Sequence, residues 1–284
     1  MRRPRPRLDT IGAMTNSPTD RYTHGHHPSV VTQHARRTAE VDAAYLLPRL
    51  RPGMRLLDVG CGPGTITAGL ARAVAPGETV GVDLAPEVIE EARVRGAETG
   101  IEGLRFEQAD AYALAFEDRS FDAVHAHQVL QHVARPVEAL REWRRVLRSG
   151  GLVAVRDADY GTMTHWPPSP PLDRFFDLYR EVTMRNGADA NAGRRLASWV
   201  REAGYIDLDV SATTVLFSTP ETVANWGLSW ADRAMHSSVA TQAVEYGLAT
   251  HADLERIAEG WRAWAAEPEA FFMYVNVEVI GRAP

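Results

Sequence analysis

The residues with the clearest chemical potential lie in one glycine-rich turn, Asp58-Val59-Gly60-Cys61-Gly62-Pro63-Gly64. The turn follows a short apolar run and precedes a helical pattern that begins at Thr65. Alternating glycines permit positive φ angles and let bare backbone approach a bound molecule. The N-terminus of the following helix favours an anionic group such as a carboxylate. The turn therefore predicts a strand, a ligand-binding loop and a helix.

The spacing of these glycines separates two classes of cofactor. Dinucleotide-binding turns follow the pattern G-x-G-x-x-G, whereas Gly60, Gly62 and Gly64 stand at every second position. This spacing favours S-adenosylmethionine over NAD. Asp58 ends the preceding strand, where its carboxylate can accept a hydrogen bond from a ligand ammonium group, directly or through water. A generic strand-to-helix turn is the structural alternative.

Two further acids follow predicted strands. Asp83 follows the run 79–82, and a carboxylate at this place can bind both hydroxyl groups of a ribose. Asp110 follows the run 104–108; its carboxylate can accept from an adenine amino group, while the N–H of Ala111 donates to a ring nitrogen. NAD-binding folds also use the acid after the second strand, so Asp110 is the residue that favours S-adenosylmethionine. A helix N-cap and an ordinary loop acid are the respective alternatives.

Strand and helix patterns alternate five times between residues 36 and 157. The predicted strands are 54–59, 79–82, 104–108, 121–125 and 152–156, and the predicted helices are 36–48, 65–75, 86–96 and 136–147. Such alternation indicates a parallel sheet with helices on both faces and ligands beyond the carboxyl ends of the strands. The alternating runs 206–217 and 272–280 predict an antiparallel pair at the sheet edge. We therefore predict an α/β fold, a Rossmann-like, doubly wound, mostly parallel seven-stranded sheet with an antiparallel edge strand and a helical cap insertion.

The regular alternation ends after residue 157, where a Pro-, Ser- and Thr-rich stretch precedes predicted helices at 173–186 and 190–203. We expect a disordered tail at 1–20 and one domain over 21–284, with 158–189 and 218–270 as cap insertions on the substrate side. The second insertion carries four tryptophans at helical spacing, Trp226, Trp230, Trp261 and Trp264. Their spacing fits either core packing of the cap or the aromatic wall of a substrate pocket.

The composition of the chain restricts its partners and its location. The formal net charge of -6 over 284 residues gives no reason to expect a nucleic-acid surface. The single cysteine, Cys61, indicates a reducing compartment, and we predict a cytoplasmic protein. The chain has no lysine, which excludes Schiff-base chemistry and a P-loop. The sequence has no run of about 18 apolar residues, so we expect no membrane span. A homodimer is left open.

In its motifs and their order, the chain resembles the class I S-adenosylmethionine-dependent methyltransferases, nearest the small-molecule branch of ubiquinone and menaquinone biosynthesis. The resemblance rests on the segments 56–64, 80–83, 121–124, 128–133 and 145–151. It covers residues 36–157 well and the last two strands loosely. It implies a set of cofactor-binding residues, namely Tyr22, Asp58, Gly60, Gly62, Gly64, Asp83, Leu84, Asp110, Ala111 and His127.

The resemblance also implies roles within this set. His127 stands where the chain leaving the fourth strand flanks the methionine portion of the cofactor, and Leu84 should lie against the adenine. Tyr22 belongs to a segment, Arg21-Tyr22-Thr23-His24, that resembles the part of this branch that covers the cofactor.

Candidate catalytic residues follow the fourth and fifth strands. His132 can deprotonate an O, N or activated-carbon nucleophile because its ordinary pKa lies near neutrality. Asp157, Asp159 and Tyr160 form the alternative acid–base set, and a histidine packed at a helix start is the structural alternative for His132. No histidine pair has the spacing of a zinc site on a helix, so we predict no metal site.

These observations predict transfer of a methyl group from S-adenosylmethionine to an O, N or C nucleophile of a small molecule. The tryptophan-rich insertion, with Trp166, Phe175, Phe176 and Tyr179, favours an apolar or aromatic metabolite. An NAD-dependent oxidoreductase, and a non-methylating S-adenosylmethionine-binding protein on the same fold, are the alternatives.

Overall fold

The computed structural model describes residues 20, 21, 23 and 37–284. Tyr22 lies outside the described residues, so its predicted role at the cofactor stays a prediction. The strands of the described part are β1 (Leu56–Val59), β2 (Thr79–Asp83), β3 (Leu104–Gln108), β4 (Phe121–His127), β5 (Leu147–Trp166), β6 (Ile206–Phe217) and β7 (Phe271–Arg282). Its α-helices are α1 (Ala39–Asp42), α2 (Thr65–Val74), α3 (Pro86–Glu98), α4 (Pro136–Val146), α5 (Pro170–Arg185), α6 (Leu196–Glu202), α7 (Pro220–His236), α8 (Ser238–Glu245) and α9 (His251–Ala265).

The strands form one sheet of seven in the described part of the chain, in the order β3-β2-β1-β4-β5-β7-β6. Strands β1 to β5 pair in parallel, whereas β7 runs antiparallel to both of its neighbours, β5 and β6. The predicted doubly wound α/β fold is confirmed. The antiparallel pair at the edge consists of β7 and the outermost strand, β6.

The parallel strands are buried on both faces, as their apolar sequences require. All four residues of β1 are buried. On one face of the sheet Trp143 of α4 is fully buried in the core, and on the other Leu70 of α2 is fully buried. This double packing fixes the carboxyl ends of the strands, where ligands bind in such folds.

The predicted helix over 36–48 is wrong in its extent. Only Ala39–Asp42 is α-helical, and a 3-10 turn at Leu47–Arg49 follows. Pro48 lies within this 3-10 turn and lacks the N–H that an α-helix continuing through residue 48 would need. The predicted apolar face is nevertheless buried, and Ala39 packs on α2, where a Cβ added to Gly69 would lie 2.5 Å from the Ala39 Cβ.

The fifth strand is much longer than the predicted run 152–156, because it continues to Trp166. Strand β7 supplies the backbone partners for this extension, which ends with Trp166 paired to Phe271. The sequence did not predict this extension, because several of its residues are polar. The predicted helix over 190–203 is also wrong in part: a 3-10 turn at Ala192–Arg195 precedes α6.

The extended ends of β5 and β7 carry a second core, formed with α5 and the three helices between β6 and β7. Here we call this group the cap core. The rings of Trp230 and Trp261 stack at 6.0 Å, and Phe175 meets Trp230 edge-on at 5.2 Å. All four tryptophans of the insertion are buried, so core packing accounts for them. Trp166, by contrast, is 55% exposed.

Candidate active site at the carboxyl edge of the sheet

The order of the parallel strands reverses between β1 and β4, which flank the centre of the sheet. In open sheets of this kind, ligands bind beyond the carboxyl ends of the strands at the reversal. Asp58 on β1 pairs with Gly81 on one side and with His125 on the other. The turn that follows Val59 therefore opens at the place where a ligand is expected.

The glycines of this turn are required for two different reasons. Gly60, Gly62 and Gly64 all have positive φ angles, +67°, +53° and +80°, which other residues adopt only with strain. A Cβ on Gly60 would collide with Val129, and a Cβ on Gly64 would lie 2.6 Å from the Phe106 ring. A Cβ on Gly62 would meet no protein atom within 4 Å. The backbone at Gly62 therefore borders open space that a ligand can occupy.

Asp58 lies beneath the glycine turn and is buried. The Thr67 hydroxyl donates to one carboxylate oxygen at 2.5 Å, and His125 Nδ1 lies 2.7 Å from the other. These contacts tie β1 to α2 and β4 and hold the start of the turn. The predicted hydrogen bond between Asp58 and a ligand stays a prediction.

Asp83 connects the glycine turn with the loop after β2. Its carboxylate accepts the N–H of Gly62 at 3.1 Å and the N–H of Ala85 at 3.2 Å. The side chain remains partly accessible, and a carboxylate has lone pairs left for further donors. The next residue, Leu84, leaves 51% of its surface exposed, which provides an apolar surface beside the fixed carboxylate.

The loop after β3 lies against the loop after β2, because the side-chain amide of Gln108 donates to the Leu84 carbonyl at 2.9 Å. Asp110 accepts the N–H of Tyr112 at 2.9 Å, which closes the loop on itself. The Ala111 carbonyl accepts from the indole N–H of Trp143 at 3.0 Å. These bonds place Asp110 and Ala111 on the same edge as Asp83.

His127 ends β4 and is buried beside a charged cluster. Its Nε2 lies 3.6 Å from an Asp42 oxygen and 3.4 Å from the Arg156 guanidinium. Arg156 also pairs with Asp42 at 2.9 Å and with the buried Glu278 at 3.4 Å. The next residue, Gln128, has a φ of +55°. This unusual conformation sets the direction of the chain after β4.

The residues at this edge fit a nucleoside cofactor that carries an amino-acid tail. The open space at Gly62 lets a ligand approach the backbone closely. The nearby Asp83 carboxylate is held by two N–H groups. Exposed Leu84 offers a surface on which a base can lie.

Comparison with known proteins agrees with this geometry. The family model described as a methyltransferase domain matches residues 50–201. An uncharacterized methyltransferase of Schizosaccharomyces pombe is 32% identical over 276 residues, which cover 93% of this chain and 98% of the yeast protein. The chain belongs to this methyltransferase family.

Two further proteins are similar to this methyltransferase over smaller parts or at lower identity. The demethylmenaquinone methyltransferase of Staphylococcus aureus (strain JH9) is 35% identical over 136 residues, 48% of this chain and 53% of that protein. The solved phosphoethanolamine N-methyltransferase 2 of Haemonchus contortus, in complex with phosphomonomethylethanolamine and S-adenosylhomocysteine, shares the fold. Its TM-score is 0.54 at 19% identity, covering 85% of this chain and 52% of that chain. The predicted family, enzyme class and cofactor, S-adenosylmethionine, are confirmed.

The first candidate base of the methyltransferase, His132, follows β4 in a partly buried position. Removal from water lowers the pKa of His132 to about 3, and the nearby positive charge of Arg37 lowers it further. The side-chain amide nitrogen of Gln131 lies 3.0 Å from His132 Nε2. An amide nitrogen can only donate, so this contact favours a neutral ring that carries its proton on Nδ1.

The second candidate base, Asp157, lies in the same region as His132. Its side chain is fully buried on β5, and one carboxylate oxygen accepts the backbone N–H of Gln131 at 3.1 Å. Burial raises the pKa of Asp157 to about 8, against the lowering effects of the Gln131 and Leu130 N–H groups and of Arg37. The structure therefore brings Asp157 and His132 together around Gln131.

The structure does not bring Tyr160 into this group. The Tyr160 ring is buried in the cap core, where it stacks on Tyr179 at 4.3 Å and 5°. Asp159 is engaged elsewhere, because Arg194 donates to both of its carboxylate oxygens at 2.6 Å. The catalytic roles predicted for Tyr160 and Asp159 stay predictions.

Two groups near the site were missed in the sequence. Gln131 is 2% exposed between the two candidate bases, and the buried Arg156–Glu278 pair lies behind His127. A signal existed for the first, because Gln128 and Gln131 are polar residues directly after a buried apolar strand. No comparable signal exists for the second, since Arg156 and Glu278 are 122 positions apart in the chain.

Two further kinds of feature are absent from the described residues. Residues 20, 21, 23 and 37–284 contain no group of three or more His, Cys, Asp or Glu side chains placed to hold a metal ion. Over the same residues, no helix combines the length and apolar character needed to cross a membrane. Burial raises the pKa of the Cys61 thiol, so this cysteine remains a protonated packing residue of the glycine turn.

Proposed function

We propose that this methyltransferase acts on an O, N or C nucleophile of a small apolar or aromatic molecule bound beyond β4 and β5. One observation supports the location most directly. The positive-φ Gly62 borders open space and donates its N–H to Asp83, which fixes a carboxylate at the edge of that space. The loop after β4 contacts the same turn, because Val129 lies against Gly60, so residues of this loop would lie close to a cofactor held there.

We assign the cofactor-binding roles below as part of this proposal, supported by the positions of these residues along the edge. When bound, S-adenosylmethionine supplies a methyl group activated by the positive sulfur. Asp83 accepts hydrogen bonds from the ribose hydroxyls, and Leu84 lies against the base. Asp110 and Ala111 bind the base edge, while His127 flanks the amino-acid portion. The turn glycines Gly60, Gly62 and Gly64 with Asp58 hold the tail.

The proposed acceptor site combines polar groups with an aromatic boundary. Tyr274 is buried near Arg37, and its ring stacks with Trp226 of the cap core at 5.9 Å and 15°. This boundary supports an acceptor with a substantial apolar surface. The cap would exclude water from the acceptor, and exclusion strengthens the electrostatic interactions within the site.

Proton transfer is expected to contribute less than positioning. His132, with a pKa of about 3, stays neutral near pH 7 and is a weak base. Asp157, with a pKa of about 8, is mostly protonated there. Alignment of the reacting atoms can contribute roughly 7–11 kcal/mol without any base. The residues around Gln131 therefore act first by orienting the acceptor.

The remaining predictions on organisation and location are retained as part of this proposal. We infer one methyltransferase domain over 21–284, with 158–189 and 218–270 as substrate-side caps; the separate aromatic core of α5 and α7–α9 supports this division. A cytoplasmic location, a homodimer and the lack of a nucleic-acid partner stay predictions.

The test is a transfer assay with methyl-deuterated S-adenosylmethionine and a panel of aromatic and aliphatic alcohols, phenols, amines and activated-carbon acids. We expect labelled product from an apolar or aromatic member, in step with S-adenosylhomocysteine. Transfer confined to nucleic acid, protein or highly polar metabolites would contradict the proposal. Cofactor binding without transfer to any member would favour the non-methylating alternative.

A further inference from the structure

Two polar oxygens are buried near the candidate bases without a hydrogen-bond partner in the described chain. They are the side-chain oxygen Oε1 of Gln131 and the carboxyl oxygen Oδ2 of Asp157. Both side chains are almost fully removed from water, with 2% and 0% of their surfaces exposed. A buried polar atom without a partner costs about 1–3 kcal/mol. The cost of burying these two oxygens without partners calls for a functional explanation at this place in the fold.

The two side chains belong to one local arrangement. The N–H of Gln131 donates to the other Asp157 oxygen at 3.1 Å, which joins the loop after β4 to β5. The Gln131 amide nitrogen is already engaged with His132 at 3.0 Å. The amide nitrogen of Gln131 and one carboxyl oxygen of Asp157 are therefore engaged, while Gln131 Oε1 and Asp157 Oδ2 have no hydrogen-bond partner among the described residues. This fixed geometry is suited to receive a group from a ligand.

The chemistry of the two oxygens restricts that group. An amide oxygen only accepts hydrogen bonds, so the ligand must donate one to Gln131. Asp157 is mostly protonated near neutral pH, so it can itself donate to the ligand. A hydroxyl group donates and accepts at once, and it matches both partners.

The surrounding charge argues against a cationic ligand group. Arg37 lies near enough to lower the pKa of both His132 and Asp157. A protonated amine would be repelled by the Arg37 guanidinium. The neutral carboxyl group of Asp157 would not compensate for the cost of burying the charge of the amine. A neutral hydroxyl group avoids both costs.

We propose that Gln131 and Asp157 form a subsite for a neutral hydroxyl group of the acceptor molecule, with Gln131 Oε1 as the hydrogen-bond acceptor that selects it. This inference rests on the proposed function, because it places the acceptor beyond β4 and β5. It narrows the acceptor class to aromatic or apolar molecules that bear a hydroxyl, such as phenols. Gln131 is a specificity-determining residue in this arrangement.

The experiment compares 2-naphthol with 2-methoxynaphthalene, in which a methyl group replaces the donor hydrogen of the hydroxyl. Each is titrated by calorimetry into the full chain saturated with S-adenosylhomocysteine. The unmodified protein should prefer 2-naphthol by about tenfold or more, since the ether leaves Gln131 Oε1 without a donor. Gln131→Met should bring the two affinities within about twofold of each other, through weaker binding of 2-naphthol alone.

A matched control is Gln242→Met in α8. Gln242 is also 2% exposed, but its side-chain oxygen already accepts from Asn186 at 2.8 Å. This variant should keep the full preference for 2-naphthol. If Gln131→Met does not fold, Gln131→Leu removes the same acceptor oxygen with a shorter apolar side chain, and the two affinities should again lie close together.

The outcomes separate this inference from the function on which it rests. No binding of S-adenosylhomocysteine to the unmodified protein contradicts the cofactor site itself. Cofactor binding with equal affinities for the two naphthalenes, or with no binding of either, overturns the hydroxyl subsite alone. A full preference for 2-naphthol in folded Gln131→Met, or in Gln131→Leu where that variant decides, also overturns it. Loss of the preference in Gln242→Met would do so as well, because the effect would not be local.

Discussion

Replacement of Asp157 by asparagine should change how the stability of the protein depends on pH. Asp157 is fully buried on β5, and its neighbours include the N–H groups of Gln131 and Leu130, the Arg37 charge and the phenol of Tyr45. Burial outweighs the favourable contacts and raises its pKa to about 8. In the unfolded chain the same carboxyl group titrates near about 3.9. The folded protein therefore holds a proton that the unfolded chain releases.

The sign of the effect follows from this difference. Below about pH 4 both states are protonated, and the stabilising contribution is fully present; it is lost as the pH rises through about 8. One pKa unit corresponds to about 1.4 kcal/mol, so the whole loss is on the order of 5 kcal/mol. Asparagine has no proton to release, and its contribution does not vary with pH.

The assay is urea unfolding of the unmodified protein and Asp157→Asn at several values between about pH 5 and about pH 8. The free energy of unfolding of the unmodified protein, minus that of the variant, should fall by roughly 1 kcal/mol per pH unit. Every other titrating group is common to both proteins and cancels in this difference. A difference that stays constant over the range, or rises with pH, would refute the reasoning.

Further predictions concern the glycine turn and the buried ion pair. Gly62→Ala should weaken S-adenosylhomocysteine binding in calorimetry, while its positive φ costs only about 1–2 kcal/mol of stability. Gly60→Ala should cost more stability, because its Cβ would collide with Val129. A larger loss of stability in Gly62→Ala than in Gly60→Ala would contradict the open space at Gly62. Arg156→Met should destabilise the protein by roughly 3–5 kcal/mol in urea unfolding, because it leaves Glu278 buried without its cation. The double variant with Glu278→Gln should recover part of this loss; no recovery would argue against a direct pairing.

The architecture around the cofactor was predictable from the sequence because local signals determine it. Apolar runs ending in Asp58 and Asp83, and the glycines between them, specify strands, turn and helix within a short segment. Beyond residue 157 the same reasoning predicted the strands β6 and β7 but not the extent of β5. There the length of β5 depends on backbone pairing with β7, whose residues lie more than a hundred positions later.

The polar interior of the site was less predictable than its edge. A histidine after β4 suggested a base with an ordinary pKa, but His132 is partly buried and its pKa falls to about 3. The sequence shows which titratable residues follow a strand; it does not show how much water they lose. Gln131 and the Arg156–Glu278 pair acquire their roles only through contacts between distant elements.

The central claim is that the cofactor lies on the Gly62 and Asp83 edge of the sheet. Calorimetric titration of S-adenosylhomocysteine into the unmodified protein, Asp83→Ala and Asp122→Ala tests it most directly. Asp122 is the matched control, since it also accepts a backbone N–H, from Arg55 at 2.8 Å, but near the amino end of β4. Loss of charge-assisted hydrogen bonds at about 1.5–3 kcal/mol each predicts about 100-fold weaker binding for Asp83→Ala. Unchanged affinity in Asp83→Ala, or an equal loss in Asp122→Ala, would contradict the account.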